Sequence, residues 1–274
     1  MPTSWGRAVA ELLTMPFMQR ALAAAVLTGL LGGLLGVFLV QRRLAFLAAG
    51  VSHGSFAGIG LGLFLGVAPF AVAVPVALGI GVVIAFLRRR GNLAEDTVVG
   101  ILFAAGMALG VLLLSMAGAN ASLSAYLFGS ILAIDNTDLA FMAAITAGVA
   151  AFTVPAWGRL TLVTFDRQLA QASGVRVRLL DYGFYVAASL AIVASVKVVG
   201  VVLVASFFVV PAATARLLGG TFLAITLAAS GLGVVTAVAG LLLSYPLEAP
   251  VGALIVLLQG VVFAVVLGVR GRRG

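Results

Sequence analysis

The chain has 274 residues, of which 63% are hydrophobic and 9% charged, with a formal net charge of +8. Soluble domains carry about 25% charged residues, so a soluble enzyme or nucleic-acid-binding fold is excluded, and the basic excess belongs to loops flanking membrane spans. The absence of cysteine excludes disulfides and thiolate metal sites.

In chain order, residues 1–16 place Trp5, Val9, Leu12 and Leu13 on one helical face and Arg7 and Glu11 off it, the pattern of an interfacial amphipathic segment. No cleavable signal peptide is expected. The first span runs from Phe17 to Val40, with Gly29, Gly32, Gly33 and Gly36 as a close-packing face. Arg42 and Arg43 end it. The second span holds His53, the sole histidine, in an apolar run with Gly50, Gly54, Gly58, Gly62 and Gly66 at every fourth position. Further spans are expected at Phe70–Leu87, Thr97–Met116 and Leu139–Pro155. Between the last two lies Ala125–Ala133, too short to cross and so re-entrant or interfacial. A polar connection, Trp157–Asp181, follows. Residues 182–218 overshoot a bilayer as one helix at 1.5 Å per residue, so they are read as two short passes turning near Lys197 and Gly200. The last two spans are Thr221–Leu243 and Pro250–Val269.

The arginines choose between nine spans and eight. Nine spans put Arg42, Arg43, Arg88, Arg89, Arg90, Arg159, Arg167, Arg176, Arg178, Arg216, Arg270, Arg272 and Arg273 on one side, leaving Arg7, Arg20 and Lys197 on the other. Eight spans move Arg216 and the last three arginines across and nearly abolish the asymmetry. The positive-inside rule therefore favours about nine, with the C-terminus cytoplasmic and eight as the alternative. The fold class is all-α, a polytopic membrane helical bundle.

Chemistry-bearing motifs are few. The only lysine, Lys197, precedes Val198, so no phosphate-binding GxxxxGK[ST] loop exists. There is no HExxH and no cysteine/histidine cluster, and no span holds several acids as proton-driven carriers usually do. Uphill movement of a solute would need energy from a partner. A buried membrane histidine is costly unless paired or functional. In the polar connection, Asp166 suits a helix N-cap and Gly174 a helix stop. Its small residues Ala170 and Ala172 would allow close approach of another protein; an ordinary loop is the alternative.

Six stretches in this order resemble the permeases of ABC importers for zinc, manganese and iron, a family related in fold to vitamin B12 and siderophore permeases. They are LAFLAAGVSHGSFAGIG (44–60), EDTVVGILFAAGMALGVLLLS (95–115), SAYLFGSILAID (124–135), FDRQLAQASGV (165–175), KVVGVVLVASFFVVPAATARLL (197–218) and SYPLEAPVGALIVL (244–257). The resemblance implies a type II importer permease domain over residues 17–274. It implies a permease homodimer, two cytoplasmic ABC ATPases that bind the ATP, and an extracytoplasmic metal-binding protein, all at the bacterial cytoplasmic membrane. The chain itself would be a transport subunit with no cofactor of its own, not an enzyme.

The resemblance also assigns residues. Segment 165–175 looks like the helix that couples to the ATPase, with Asp166, Ala170 and Gly174 at the family's positions. His53 matches the histidine of the translocation motif, and a neutral imidazole suits zinc and is acceptable to manganese or iron. The family's aspartate one turn earlier is Ala49 here, so the usual carboxylate–imidazole pair is missing. Glu248 keeps an acid before the Pro-x-Gly of the last span and is a second candidate metal contact, reaching His53 at the outer mouth. Lys197 is a candidate gate or pairing residue, with snorkelling to the interface as the alternative. The lost aspartate also admits a permease for a metal chelate. A stand-alone secondary carrier is the remaining reading.

Overall fold

The computed structural model describes residues 14–90, 95–118 and 123–270. Most of the expected amphipathic segment at 1–16 lies outside them, as do Arg272 and Arg273. The described residues form helices and no strands: α1 Pro16–Gln41, α2 Ala45–Phe64, α3 Pro69–Arg90, α4 Glu95–Met116, α5 Leu123–Phe128, α6 Asn136–Thr153, α7 Trp157–Phe165, α8 Arg167–Ala172, α9 Val177–Val199, α10 Val204–Leu218, α11 Phe222–Leu247 and α12 Val251–Arg270. A 3₁₀ turn, Ile131–Ala133, follows α5.

Seven of these helices are long and apolar enough to cross a membrane, and α6 with α7, bent by 70°, makes an eighth. The bend falls at Val154–Ala156, where Pro155 supplies no backbone donor to continue the helix. By length and apolarity alone, the expected nine spans become seven or eight among the described residues. The helix that falls short is α10, with 15 residues, about 22 Å at 1.5 Å per residue. Residues 200–203 leave the helical path because their backbone is used elsewhere. Val201 N–H donates to the Tyr126 carbonyl at 3.0 Å and Val202 N–H to that of Leu127 at 3.2 Å, which ties the turn to α5. Gly200 (φ 93°) and Gly129 (φ 81°) permit this join; a Cβ on Gly200 would lie 2.3 Å from the Leu127 carbonyl oxygen. The short α5 thus closes one end of the bundle and does not cross it.

Although short, α10 reaches the opposite end. Arg216 shares a cavity of about 240 Å³ with Val40 and Gln41 of α1 and Phe165 of α7, and Arg270 donates to the Leu218 carbonyl. Arg42, Arg167, Arg216 and Arg270 therefore gather at one end, while Lys197 and Glu248 stand at the other.

Glycine contacts set the packing. Between lipid-embedded helices there is little hydrophobic driving force, so close backbone approach carries much of the association. In α2, a Cβ on Gly58 would lie 2.7 Å from Ala73 Cα, one on Gly62 2.7 Å from Pro69 Cα, and one on Gly54 2.3 Å from Ile80 Cδ1, all on α3. On α4, a Cβ on Gly106 would lie 2.4 Å from Gly54 Cα. Helix α2 is consequently wedged between α3 and α4 and lies largely inside the bundle. A second glycine seam joins α1 to α11, where Gly33 faces the Ser230 backbone.

Substituting Gly58→Val should cost about 1–3 kcal/mol or more, because the Ala73 backbone cannot retreat as a flexible side chain could. Gly79→Ala, where a Cβ meets nothing within 4 Å, should be neutral or slightly stabilising. Thermal unfolding in detergent checks both.

Candidate functional site: a histidine path and a coupling corner

His53 sits on α2, eight residues from its start and eleven from its end, so about 12 Å and 16 Å from the two ends. It is 7% exposed. Nδ1 lies 3.0 Å from the Ala49 carbonyl oxygen and 3.2 Å from Ser52 Oγ. A carbonyl oxygen can only accept, so Nδ1 carries the proton. Nε2 then holds the lone pair, the arrangement of a metal-ligating imidazole whose other nitrogen is oriented by a backbone oxygen. Ser52 Oγ also donates to the Ala49 carbonyl at 3.1 Å, and Ser55 Oγ to the Ser52 carbonyl at 2.7 Å. Phe103 of α4 lies over the ring at 4.1 Å between centroids and is 37% exposed. Met107 packs against the main core.

The missing aspartate leaves its mark here. Ala49 meets Nδ1 through its carbonyl, where a carboxylate side chain at that position would have added an anionic donor. No group of three His, Asp or Glu side chains able to hold a metal occurs among the described residues. No hydrogen bond or metal-holding cluster joins Glu248 to His53 among the described residues. Glu248 ends α11 in the left-handed region at φ 48° and is exposed. The hydrogen-bond and ring contacts of His53 among the described residues are with Ala49, Ser52 and Phe103.

Lys197 is paired. Its Nζ donates to Asp138 Oδ2 and lies 5.7 Å from the Phe70 ring centroid. Asp138 in turn belongs to a capping box: Asp138 N–H donates to Asp135 Oδ1 at 2.7 Å, and Asp135 N–H to Asp138 Oδ2 at 3.0 Å. The backbone N–H of Asp138 is the main cause that holds the Asp135 carboxyl below the usual range, with further help from the Asp138 side chain and the Lys197 charge. Lys197 and Asp138 border an apolar cavity of about 380 Å³ with Phe70, Val74, Phe141 and Met142.

At the arginine-rich end, Asp166 caps α8 by accepting from Leu169 N–H at 2.9 Å. Gly174 ends the segment at φ 74°, where L side chains are strained. Ala170 is fully buried against Val163 and Val177. It therefore seats the helix on its own protein and does not present a small surface to a partner; Arg167, Gln168, Leu169, Gln171 and Ala172 are the exposed residues of α8. A clamp that sequence reasoning missed holds this corner. Arg42 Nη1 pairs with Asp181 Oδ1 at 3.2 Å, and its Nε donates to Thr164 Oγ1 at 2.8 Å. The Arg42 guanidinium lies 4.4 Å from the Phe184 ring. Arg167 takes the other Asp181 oxygen. Phe165, Trp157 and Phe38 meet around Phe222, with centroids 5.0–5.5 Å from its ring. The 165–175 segment is thus tied to α1, α9 and α11 together.

A sequence model described as the ABC 3 transport family matches residues 14–270. The chain belongs to this family. It is 34% identical over 93% of its length, and 87% of the relative's, to the manganese transport system membrane protein MntC of Halalkalibacterium halodurans. It is 33% identical over 94% of its length, and 87% of the relative's, to the chelated iron transport system membrane protein YfeD of Yersinia pestis. Its fold matches a chain of PsaBC from Streptococcus pneumoniae at a TM-score of 0.87 and 27% identity, covering 97% of this chain and 95% of that one. Family membership makes the chain a permease of ABC metal importers, a transport component of a multi-pass membrane complex, and removes the stand-alone carrier reading.

Asp181→Asn should cost about 3 kcal/mol, because it strands the Arg42 guanidinium, whose side chain is 5% exposed, without its carboxylate. Arg167→Gln, at a side chain 46% exposed, should cost less than about 1 kcal/mol. Unfolding midpoints of the two variants should differ in that order.

Proposed function

We propose that the chain carries a divalent transition metal, with manganese favoured, inward across the bacterial cytoplasmic membrane. It does so as one of two permease copies, driven by two cytoplasmic ATPases and fed by an extracytoplasmic metal-binding protein. The arginine-rich end faces the cytoplasm, as the positive-inside rule requires, and the C-terminus lies there. The observation that carries the metal reading is His53. It is an enclosed imidazole in the central helix, its Nδ1 proton fixed on Ala49 and its Nε2 left as a donor. One nitrogen among hydroxyl and carbonyl oxygens suits manganese better than zinc, which prefers nitrogen and sulfur. The relatives named for manganese transport support the same choice.

A sparse ligand set is apt for passage. A path must hold its cargo weakly enough to release it, and His53 without a neighbouring carboxylate does so. Glu248 offers an anionic contact at the outer mouth, Lys197 with Asp138 closes the bundle nearby, and His53 receives the ion deeper in. At the other end, ATPase closure presses on the α8 segment of Asp166, Ala170 and Gly174. The clamp on Asp181 passes the displacement to α1 and α9 as a rigid body. A permease for chelated iron is the second reading, favoured by the name of the Yersinia relative and by Ala49.

In proteoliposomes holding the permease with its ATPase and binding protein, His53→Ala should lower ATP-dependent manganese uptake by about tenfold or more, the loss that even an outer-shell metal partner brings. ATP hydrolysis should persist. Uptake equal to wild type would sink the assignment, and transport of an iron chelate in preference to free Mn²⁺ would favour the second reading.

A further inference from the structure

Beside the coupling segment lies a cavity of about 660 Å³ bordered by Arg167, Arg176, Arg178, Gln171, Asp181 and Tyr182. Three guanidiniums face one carboxylate, and that carboxylate is already shared between Arg42 and Arg167. Neither Arg176 nor Arg178 has a carboxylate partner among the described residues. The cavity therefore keeps an excess of positive charge, with an amide and a phenol as additional hydrogen-bond groups. Planar guanidiniums match phosphate oxygens with paired hydrogen bonds.

The position decides which phosphate. The cavity opens where α9 begins and where Ala85 of the membrane helix α3 forms part of its wall. Along α3 from Ala85, Val82, Val83 and Phe86 are exposed, and so is Leu179 at the start of α9. An apolar strip thus runs from the basic cavity into the hydrocarbon region, where the outward faces of helices meet acyl chains. A soluble anion would use the arginines alone, and an acidic protein segment would leave the α3 strip unused. A phospholipid uses both.

We propose that this cavity binds the phosphate of an anionic phospholipid, with the acyl chains lying along α3. The site takes the phosphoryl anion; the lipid is the source that fills the whole surface. Because Arg167 and Gln171 belong to the coupling segment or flank it, the headgroup braces that segment from the membrane side. The lipid's presence at this leaflet rests on the orientation proposed above.

The permease complex, purified in detergent and stripped of lipid, should bind added phosphatidylglycerol, read as lipid retained per permease by native mass spectrometry and as a rise in unfolding temperature. Phosphatidylcholine and millimolar inorganic phosphate should give neither. The double variant R176Q/R178Q should retain phosphatidylglycerol about thirtyfold more weakly, as loss of two basic contacts at about 1 kcal/mol each predicts. R178K, which keeps the charge, should retain most of it, and R216Q, at the same end but outside the cavity, should match wild type. Should the double variant fail to fold, wild type alone still decides, since retention must fall as salt rises. Equal stabilisation by inorganic phosphate, or undiminished lipid retention in a folded R176Q/R178Q protein, would overturn the site. Orientation is read separately, by labelling Ser173→Cys in the cysteine-free chain with a membrane-impermeant maleimide. Labelling from outside overturns the orientation and leaves the detergent result standing.

Discussion

Everything in this bundle follows from how closely α2 can approach its neighbours. A membrane helix gains little by burying leucine, since lipid is as apolar as leucine. Backbone proximity is what remains, and glycine every fourth residue provides it along one side of the helix. Gly54, Gly58 and Gly62 admit α3, while Gly106 on α4 admits α2. The outcome is a helix enclosed by protein although it carries the one histidine. Enclosure in turn explains the local chemistry. With little water near it, the His53 ring must find partners on its own helix, and it takes the Ala49 carbonyl one turn back. That bond fixes the tautomer, and the tautomer decides which nitrogen can meet a cation.

The two ends of the bundle use charge differently. At the lysine end, the pair Lys197–Asp138 is partly exposed, at 27% and 20% of the side chains, so solvent moderates its strength. It can open without a large penalty, as the proposed mouth would require. At the arginine end, Arg42 and Asp181 are nearly enclosed, where breaking one partner is expensive. That end cannot come apart piecemeal. Motion applied to α8 would move the corner of α1, α7 and α9 as a unit, the mechanical property that the proposed coupling role would need.

The legibility of the sequence follows the same division. Helix existence, the glycine face, the Asp166 cap and the Gly174 stop were all readable, because each depends on residues within about one turn of each other. The short α5 was readable from length alone. What the sequence concealed depends on distant pairs. Arg42 meets Asp181 across 139 positions and Lys197 meets Asp138 across 59, and no local pattern announces either. The length of α10 was concealed for a related reason: nothing in residues 200–203 shows that their N–H groups are owed to α5. Ala170 was misdirected because a small exposed-looking residue on a short helix has no second turn to reveal which face is inward.

The substitution at Ala49 shows how one side chain redistributes a site. A carboxylate there would have stood beside the imidazole, one turn away on the same face, and the two would have held a cation jointly. Alanine leaves only its carbonyl, which is already engaged with Nδ1. The remaining donors around the ring are oxygens that are themselves hydrogen-bonded, Ser52 to Ala49 and Ser55 to Ser52. To serve a cation, the serines would have to turn away from the backbone, so the binding at His53 proposed above would carry a local rearrangement cost. A site with that cost would hold its ion briefly. In the proposed carrier, whose energy would come from a partner, brief residence would hasten release, and selectivity that the missing aspartate would have given would have to be supplied before the ion arrives.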